Sequence, residues 1–408
     1  MSAVGLRCRV CESDYPAVAS GSCVRCFGPL EPVYDWDAVA RDASRERIEA
    51  GPRSLWRYAP LLPVDPPPDA ANGPGWTPLV AAPRLARELG VGEVYLKLDL
   101  CNPTQSFKDR VVGVASAKAI EVGADTLACA STGNLGNAVA GRAASLGLRS
   151  VVLYPRTVEA EKLRATAVYG GEMVAVRGSY DDCSRLVVEL ASELDWAFVN
   201  VNLRAYYAEG SKTIAFEVAE QLGWQLPDVV VSPIASGSLF TKLWQGFEQL
   251  VRVGLVEGEL PRLYGGQAAG CSPVAAAFSE ERAVSPVRPQ TIAHSLAIGA
   301  PADGDLAVAT AKASGGAIHA VPEEEVGENM KLLAGTSGIF GETATGVTLG
   351  ALRAAVARGQ IGGDDRVVLL VTGTGLKTPD AVGERPSREI DADVDELLAE
   401  LEVSACAR

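Results

Sequence analysis

Short apolar runs alternate with longer amphipathic, alanine-rich stretches from about residue 76 to residue 380 of this 408-residue chain. The apolar runs have the length of buried strands, and the stretches between them repeat apolar residues with helical spacing. This alternation predicts an α/β fold with helices on both faces of parallel sheets and binding sites at the carboxyl ends of the strands. We expect strands at 94–98, 126–129, 150–153, 172–176, 229–231, 262–264, 317–321 and 366–371.

The length allows two or three structural units, at about 150 residues per domain. Residues 36–75 form a charged arm and a proline-rich linker, which we expect to wrap over a neighbouring surface or subunit. Residues 384–408 form an acidic tail, to which we assign no chemistry. Helices are predicted at 110–122, 136–146, 159–169, 180–194, 210–222 and 345–358.

The composition argues against several classes of function. A formal net charge of -14 would repel nucleic acid and anionic membranes, so neither is an expected partner. No window approaches the roughly 18 uninterrupted apolar residues of a membrane span, and the N-terminus lacks the pattern of a signal peptide. We therefore expect a cytoplasmic protein. Only two histidines, His294 and His319, are present, which leaves little material for a histidine-based nucleophile triad.

Two CxxC pairs lie within the first 35 residues, Cys8 with Cys11 and Cys23 with Cys26. Two such knuckles can offer four thiolates to one tetrahedral zinc ion. Residues 1–35 are therefore predicted to form a small zinc-ribbon-like element. Its zinc would be structural, because protein ligands fill all four positions. A ribbon without metal and a pair of redox dithiols are the alternatives.

A strand-like run at 94–99 is followed by Asn102-Pro-Thr-Gln-Ser-Phe-Lys108-Asp-Arg110. A lysine buried beside an aromatic ring can lose its proton and form an imine with a carbonyl compound. A pyridoxal phosphate (PLP) enzyme requires this chemistry of its lysine. On this segment alone, the alternative is an ordinary surface lysine at a helix start, with Asp109 in the first turn.

Three further segments end predicted strands with small or hydroxyl-bearing residues. Leu127-Ala-Cys-Ala-Ser-Thr-Gly-Asn134 and Val231-Ser-Pro-Ile-Ala-Ser-Gly-Ser-Leu239 pass from strand to helix, where backbone N–H groups can hold an anion. A third strand ends at Thr372, whose neutral hydroxyl can face a ring nitrogen. Each of the first two segments alone is also consistent with a plain turn. Together with the lysine they form a coherent set, in which we identify no acidic partner for a pyridine nitrogen.

In this order the segments resemble the PLP enzymes of the tryptophan synthase β type (fold type II), and among them the threonine synthases with an N-terminal zinc ribbon. The resemblance covers most of the chain. It implies two parallel-sheet α/β domains with the cofactor between them, a large PLP domain of residues 76–99 and 206–383 and a small mobile domain of residues 100–205. Besides the lysine segment, it is carried by Trp76-Thr-Pro-Leu79, Ser131-Thr-Gly-Asn134, Glu209-Gly-Ser-Lys-Thr213, Glu342-Thr-Ala-Thr-Gly346 and Thr372-Gly-Thr-Gly-Leu-Lys377.

The resemblance implies a role for each matching residue. Lys108 would carry PLP beside Phe107, Asn134 would bind the PLP 3-oxygen, and Thr372 would face the pyridine nitrogen. The loop that binds the cofactor phosphate would comprise Ala235, Ser236, Gly237, Ser238 and Leu239. The substrate carboxylate would be received by Ser131, Thr132 and Gly133, and the substrate phosphate by Lys97, Thr104, Ser106 and Arg204. A structural or surface charge is the alternative for Lys97 and Arg204.

The activity implied is the conversion of O-phospho-L-homoserine and water to L-threonine and phosphate, by γ-elimination and β-replacement. The extended arm suggests a homodimer. Some positions depart from the family pattern. Gln105 replaces a usual glycine, Thr374 a usual histidine or asparagine, and Leu135 and Gly136 the usual small hydroxyl or alanine residues; the phosphate loop lacks its usual Gly-Asn-rich sequence. A paralogue acting on another phosphorylated or activated amino acid, by O-phosphoserine β-replacement or a specialised biosynthetic γ-replacement, therefore remains an alternative. A catalytically silent scaffold is a third.

Overall fold

The computed structural model describes residues 3–17, 21–131, 133–156, 158, 160–383 and 389–401. Strands and helices alternate along most of this length, as predicted, and the α/β fold class is confirmed. The strands are β1 Ala3–Cys8, β2 Asp14–Tyr15, β3 Leu30–Tyr34, β4 Leu79–Ala81, β5 Glu93–Leu98, β6 Thr126–Ala130, β7 Arg149–Pro155, β8 Glu172–Val176, β9 Ala197–Phe198, β10 Val229–Pro233, β11 Arg262–Ala268, β12 Ala317–Val321 and β13 Arg366–Val371.

The helices of the described residues differ widely in length, from five to fifteen residues. They are α1 Trp36–Asp42, α2 Arg45–Glu49, α3 Pro83–Leu89, α4 Lys108–Glu121, α5 Asn134–Leu146, α6 Ala160–Ala167, α7 Tyr180–Glu193, α8 Arg204–Glu209, α9 Lys212–Gln221, α10 Ser238–Arg252, α11 Pro273–Ser279, α12 Gly304–Ala313, α13 Glu323–Ser337, α14 Thr343–Ala357 and α15 Val394–Glu400. In the described part of the chain, no helix combines the length and the apolar character needed to span a bilayer.

Two parallel sheets carry the main body. The larger has the strand order β12-β11-β10-β13-β5-β4, in which β4 is an antiparallel edge strand. The smaller has the order β8-β7-β6-β9, with all pairs parallel. The strands of the smaller sheet lie between residues 126 and 198, and those of the larger sheet lie on either side of them in sequence.

Helices cover the larger sheet on both faces. Along β13, Val367, Leu369 and Val371 belong to one apolar cluster, whereas Val368 and Leu370 belong to another. Successive side chains of a strand point to opposite faces, so both faces of this strand are buried. A central parallel strand therefore reads as a continuous apolar run. For this reason the strand could be predicted with its observed bounds, 366–371.

The N-terminal residues form a small antiparallel sheet of order β2-β1-β3. Its apolar side chains Leu6 and Leu30 belong to the same cluster as Val111 and Val112 of α4. The arm after this sheet packs on its own chain, because Val39 and other arm residues share a cluster with residues of α9 and α10. Both N-terminal segments thus contact the body that contains the predicted site.

The loops of interest share one edge of each sheet. The segments that follow β5, β6, β10 and β13 all leave the carboxyl ends of parallel strands. In open parallel sheets this edge is where ligands bind. The topology thus directs the predicted lysine, both anion loops and Thr372 to carboxyl edges of the two sheets.

Candidate active site

Lys108 is the first residue of α4, and backbone contacts fix the loop before it. The Phe107 N–H donates to the Thr372 carbonyl at 2.9 Å, and the Thr374 N–H donates to the Gln105 carbonyl at 3.2 Å. These bonds attach the lysine loop to the segment that follows β13. Lys108 therefore lies next to Thr372, as the sequence interpretation requires of a cofactor site.

The surroundings of the Lys108 side chain are aromatic. Its Nζ lies 4.5 Å from the centroid of the Phe107 ring and 5.7 Å from that of Tyr207. Nζ also donates a hydrogen bond to Tyr207 Oη at 3.1 Å. The predicted aromatic neighbour is present, and the tyrosine is an addition that the motifs did not reveal.

Gln105 has a backbone φ of 62°, in the left-handed region. Non-glycine residues seldom adopt this conformation, because Cβ then crowds the backbone. The family that the chain resembles usually has glycine at this position. The loop thus retains a glycine-type conformation although a glutamine occupies it.

Asn134 and Thr372 meet at the carboxylate of Glu342. Asn134 Nδ2 donates to Glu342 Oε2 at 2.9 Å, and Thr372 Oγ1 donates to Glu342 Oε1 at 3.1 Å. Burial raises the pKa of Glu342, although its hydrogen bonds and the charges of Lys377 and Lys108 oppose this shift. The sequence motifs suggested no acidic partner for a ring nitrogen, and the structure adds an acidic group one hydrogen bond away from Thr372, at Glu342.

Lys377 is a second lysine at this site. Its Nζ donates to the Thr104 carbonyl at 2.6 Å and to Asn134 Oδ1 at 2.8 Å. Burial lowers the pKa of Lys377, whereas the carboxylates of Glu342 and Asp109 raise it. A cation thus lies next to the asparagine that was assigned to the cofactor.

The predicted carboxylate-binding loop precedes α5. Ser131 Oγ accepts hydrogen bonds from the Gly136 N–H at 2.9 Å and the Gly133 N–H at 3.2 Å. The serine hydroxyl therefore organises the start of the helix. The third residue assigned to this loop, Thr132, lies outside the described residues.

The predicted phosphate loop lies between β10 and α10. Gly237 has a φ of 93°, and a Cβ added to it would lie 2.6 Å from the Asp303 carbonyl oxygen. The Asp303 N–H in turn donates to the Ser236 carbonyl at 2.9 Å. The N-cap residue of α10 is Gly237, which has no side chain, and Ser236 Oγ accepts the Ser238 N–H at 3.5 Å; the next N–H groups of the first turn can bind an anion. Ala235, Ser238 and Leu239 complete this loop and the first turn of the helix.

Lys97 does not lie with the other predicted substrate residues, and its assignment to substrate phosphate requires correction. Its Nζ is fully buried and donates to Glu217 Oε2 at 2.6 Å, to the Thr77 carbonyl at 2.7 Å and to Gln221 Oε1 at 2.9 Å. An ammonium group has three N–H donors, and all three are engaged here. Glu217 also pairs with the buried Arg110. Lys97 is therefore part of an internal ion cluster.

The other three residues predicted to contact the substrate phosphate differ in their hydrogen-bond partners and in their exposure. Thr104 donates both its N–H and its hydroxyl to Asp109, each at 2.8 Å. Arg204 Nη2 donates to Asp303 Oδ2 at 3.1 Å, and its side chain is 31% exposed. Ser106 is fully buried, and its hydroxyl has no hydrogen-bond partner among the described residues.

The residues present fit PLP. Ser106 belongs to the same loop as Lys108, and its buried hydroxyl has no hydrogen-bond partner among the described residues. A polar ligand could supply that hydrogen bond. The start of α10, whose N-cap residue is a glycine, and the close approach at Gly237 form an anion site of the kind that phosphate occupies. Asn134 and Thr372 converge on Glu342, with which the charge of Lys108 also interacts.

The four N-terminal cysteines also lie together, with all their sulfur atoms within 4.8 Å of one another. Cys8 Sγ is 3.4 Å from Cys26 Sγ, and Cys11 Sγ is 3.5 Å from Cys23 Sγ. Tetrahedral zinc with Zn–S bonds of about 2.3 Å separates its sulfur ligands by about 3.8 Å. The cluster therefore has nearly the spacing of a four-thiolate metal site.

Three residues of the site were not assigned from the sequence: Tyr207, Glu342 and Lys377. Glu342 begins one of the motifs that carry the family resemblance, and Lys377 ends another. A charged residue next to small residues in such a motif could have indicated a site residue. Tyr207 lies two residues before the Glu209 motif and offered no comparable signal.

Comparisons with known proteins agree with this geometry. The family described as "Pyridoxal-phosphate dependent enzyme" matches residues 70–373. The chain is 36% identical to the threonine synthase of Methanocaldococcus jannaschii, covering 92% of this chain and 93% of the relative. It is also 36% identical to the threonine synthase of Methanosarcina acetivorans, covering 96% and 97%.

Solved structures add a likeness in fold. The processed form of threonine deaminase isoform 2 from Solanum lycopersicum superposes with a TM-score of 0.62 at 19% identity, covering 80% of this chain and 82% of that one. Maize serine racemase superposes with a TM-score of 0.61 at 18% identity, covering 80% and 92%. At these identities the likeness establishes the shared architecture alone.

Proposed function

The chain belongs to the threonine synthase family of pyridoxal-phosphate-dependent enzymes, and we propose that it converts O-phospho-L-homoserine and water to L-threonine and phosphate. The observation that carries this proposal is the convergence of Lys108, Asn134 and Thr372 around the buried Glu342. The site thus combines two features: a lysine that can form an imine, and neutral hydrogen-bonding side chains for the cofactor ring.

PLP, when bound, would supply the electron sink that makes the substrate Cα–H bond acidic. Lys108 would attach the cofactor, and the loop from Ala235 to Leu239 would hold its phosphate through backbone N–H groups of α10. Asn134 would donate to the ring oxygen and Thr372 would face the ring nitrogen. Both side chains are already oriented, because Glu342 accepts a hydrogen bond from each.

The substrate would bind at the carboxyl edge of the smaller sheet. The loop of Ser131, Thr132 and Gly133 at the start of α5 would receive its carboxylate. Lys108, released when the substrate amino group replaces it, would remove the Cα proton and later move a proton at Cβ, as phosphate leaves Cγ and water adds to Cβ.

Two cations are candidates for the substrate phosphate. Arg204 is partly exposed and would exchange part of its pairing with Asp303 for the phosphate, with the bidentate geometry that arginine offers. Lys377 would take the place first assigned to Lys97, because its ammonium lies at the site next to Asn134. Ser106 and Thr104 remain candidate hydroxyl donors.

We further propose that Cys8, Cys11, Cys23 and Cys26 bind one structural zinc ion. Four thiolates at this spacing leave no open coordination position for catalysis. Elemental analysis of the purified protein tests this proposal directly. Unpaired cysteines throughout the described residues also support a cytoplasmic location, where thiols stay reduced.

We propose that the protein is a homodimer. We also propose that a small domain of residues 100–205 closes over the substrate. The division of the parallel strands into two sheets, one of them between residues 126 and 198, supports the second of these.

A Lys108→Ala variant tests the proposed function. Loss of the lysine amine should abolish turnover. It should also abolish the absorbance band at roughly 410 to 420 nm that marks cofactor attached to a lysine. In the wild type, borohydride should remove the same band. Retained threonine formation by the variant would contradict the assignment of Lys108.

A further inference from the structure

The hydrogen bond from Lys108 Nζ to Tyr207 Oη is a tertiary contact between the first turn of α4 and α8. The proposed function uses Lys108 but gives the tyrosine no part. Tyr207 is half-buried, with its ring centroid 5.7 Å from Nζ. What the phenol can do depends on how firmly α8 holds it.

The beginning of α8 is tied to the phosphate loop. Arg204 and Tyr207 are three residues apart and therefore lie on one face of the helix. Arg204 binds Asp303 at 3.1 Å, and the Asp303 N–H binds the Ser236 carbonyl at 2.9 Å. The same short helix thus contacts both the proposed cofactor lysine and the neighbour of the proposed phosphate loop.

The end of α8 is anchored by buried charges. Glu209 pairs with Lys212 at 2.5 Å and with Lys242 at 2.7 Å, and it accepts a hydrogen bond from Tyr34. Burial alone would raise the pKa of Glu209, but the two lysines lower it to about 2. The carboxylate is therefore ionised at neutral pH and holds this end of the helix.

Close packing sets the distance between α8 and α4. A Cβ added at Gly210 would lie 2.4 Å from the Arg110 carbonyl oxygen, so the two backbones nearly touch. Tyr206 is fully buried and belongs to the same apolar cluster as Val111 of α4. The position of Tyr207 is consequently fixed by contacts that do not involve Lys108.

We propose that Tyr207 is the residue that positions Lys108 for its chemistry. The inference rests on the proposed function of Lys108 as the cofactor lysine. An amine must direct its lone pair at the carbon it attacks, and an N–H held by Tyr207 Oη restricts rotation of the Nζ group. The phenol accepts this N–H and keeps its own proton throughout.

The same contact acts during turnover. When the substrate amino group replaces Lys108, the free amine would otherwise move among the rotamers of a long side chain. Tyr207 Oη keeps Nζ close to the substrate carbons at which it removes and returns protons. Loss of the hydroxyl should therefore lower kcat much more than it changes KM.

The experiment compares Tyr207→Phe with Tyr95→Phe, which removes one hydroxyl from a half-buried tyrosine of β5. Wild type and both variants are stripped of cofactor, mixed with excess PLP, and followed at roughly 410 to 420 nm. We expect Tyr207→Phe to attach the cofactor at least about tenfold more slowly than wild type, with a similar thermal midpoint. Tyr95→Phe should attach it at nearly the wild-type rate.

Attachment of Tyr207→Phe within about twofold of the wild-type rate would overturn the inference. If the phenylalanine variant does not fold, Tyr207→Met is measured against the same criterion. This readout needs no amino acid substrate, so it is separate from the proposed function. An absence of threonine formation by wild type that attaches PLP normally would contradict the proposed reaction and leave the role of Tyr207 intact.

Discussion

Asn134 and Thr372 each donate a hydrogen bond to a different oxygen of the buried Glu342 carboxylate, at 2.9 Å and 3.1 Å respectively. The two donors come from different sheets, because Asn134 follows β6 and Thr372 follows β13. Glu342 therefore connects the two halves of the proposed cofactor site. Glu342 itself is the N-cap residue of α14.

Glu342→Gln should weaken cofactor binding. An amide offers one acceptor oxygen, so one of the two donors, Asn134 or Thr372, loses its partner. An unsatisfied buried donor costs about 1 to 3 kcal/mol, which corresponds to a roughly 5- to 150-fold weaker affinity for PLP. Titration of the cofactor-free protein with PLP measures this change.

The matched control for Glu342→Gln is Glu88→Gln, at an exposed position of α3. It should leave the PLP affinity unchanged. An affinity of Glu342→Gln equal to that of wild type would show that the carboxylate does not organise the site.

Gln105→Gly should stabilise the protein. The φ of 62° is strained for glutamine and free for glycine, and the gain is partly offset by the added flexibility of the unfolded chain. We expect a net increase of up to about 1 kcal/mol in the free energy of unfolding. Gln105→Ala keeps the strain and is the control. Urea titration measures the free energy of unfolding of both variants. Equal stability of the glycine and alanine variants would contradict this account.

Lys97→Met should destabilise the fold without a direct effect on substrate binding. The substitution leaves the fully buried Glu217 with Arg110 as its remaining cation, and breaking a buried pair costs about 3 to 5 kcal/mol. The free energy of unfolding and the KM of the folded protein distinguish the two roles. Lys331→Met, which breaks an exposed pair with Glu328, is the control and should change little. A raised KM with unchanged stability would restore Lys97 to the substrate site.

Asp109→Asn should remove a pH dependence of stability. Burial raises the pKa of Asp109 from 3.8 to about 6, against the opposing hydrogen bonds from Thr104. The stability this group contributes is therefore fully present below pH 3.8 and is lost as the pH rises through about 6. Relative to the variant, wild type should lose up to about 3 kcal/mol over this window. Urea titrations at both ends of the window test this, and a pH-independent difference would contradict it.

Local sequence patterns predicted the α/β class and eight of the ten strands in the two larger sheets. The strands at 172–176, 317–321 and 366–371 have the predicted bounds, because each is a short apolar run between clear helical stretches. The two-residue strand β9 and the six-residue helix α8 were not predicted. Elements this short carry no period of their own, and their existence depends on the neighbours on which they pack.

Sequence motifs predicted candidate site residues where one contiguous segment holds the chemistry, as for Lys108 and Asn134. It was not predictable where the chemistry depends on a tertiary partner. Lys97 resembles a site lysine at the end of a strand, but its partner Glu217 lies 120 residues away in the sequence. Tyr207 reaches Lys108 across 99 residues, and only the packing of α8 on α4 reveals this contact.

Product formation from two substrates tests the central claim most directly. PLP-loaded wild-type protein is offered O-phospho-L-homoserine and, separately, O-phospho-L-serine, and both released phosphate and the amino acid product are measured. We predict phosphate release with an equal amount of L-threonine from the first substrate, and none with the Lys108→Ala variant. Absence of threonine from O-phospho-L-homoserine, with the cofactor attached to Lys108, would contradict the proposed function.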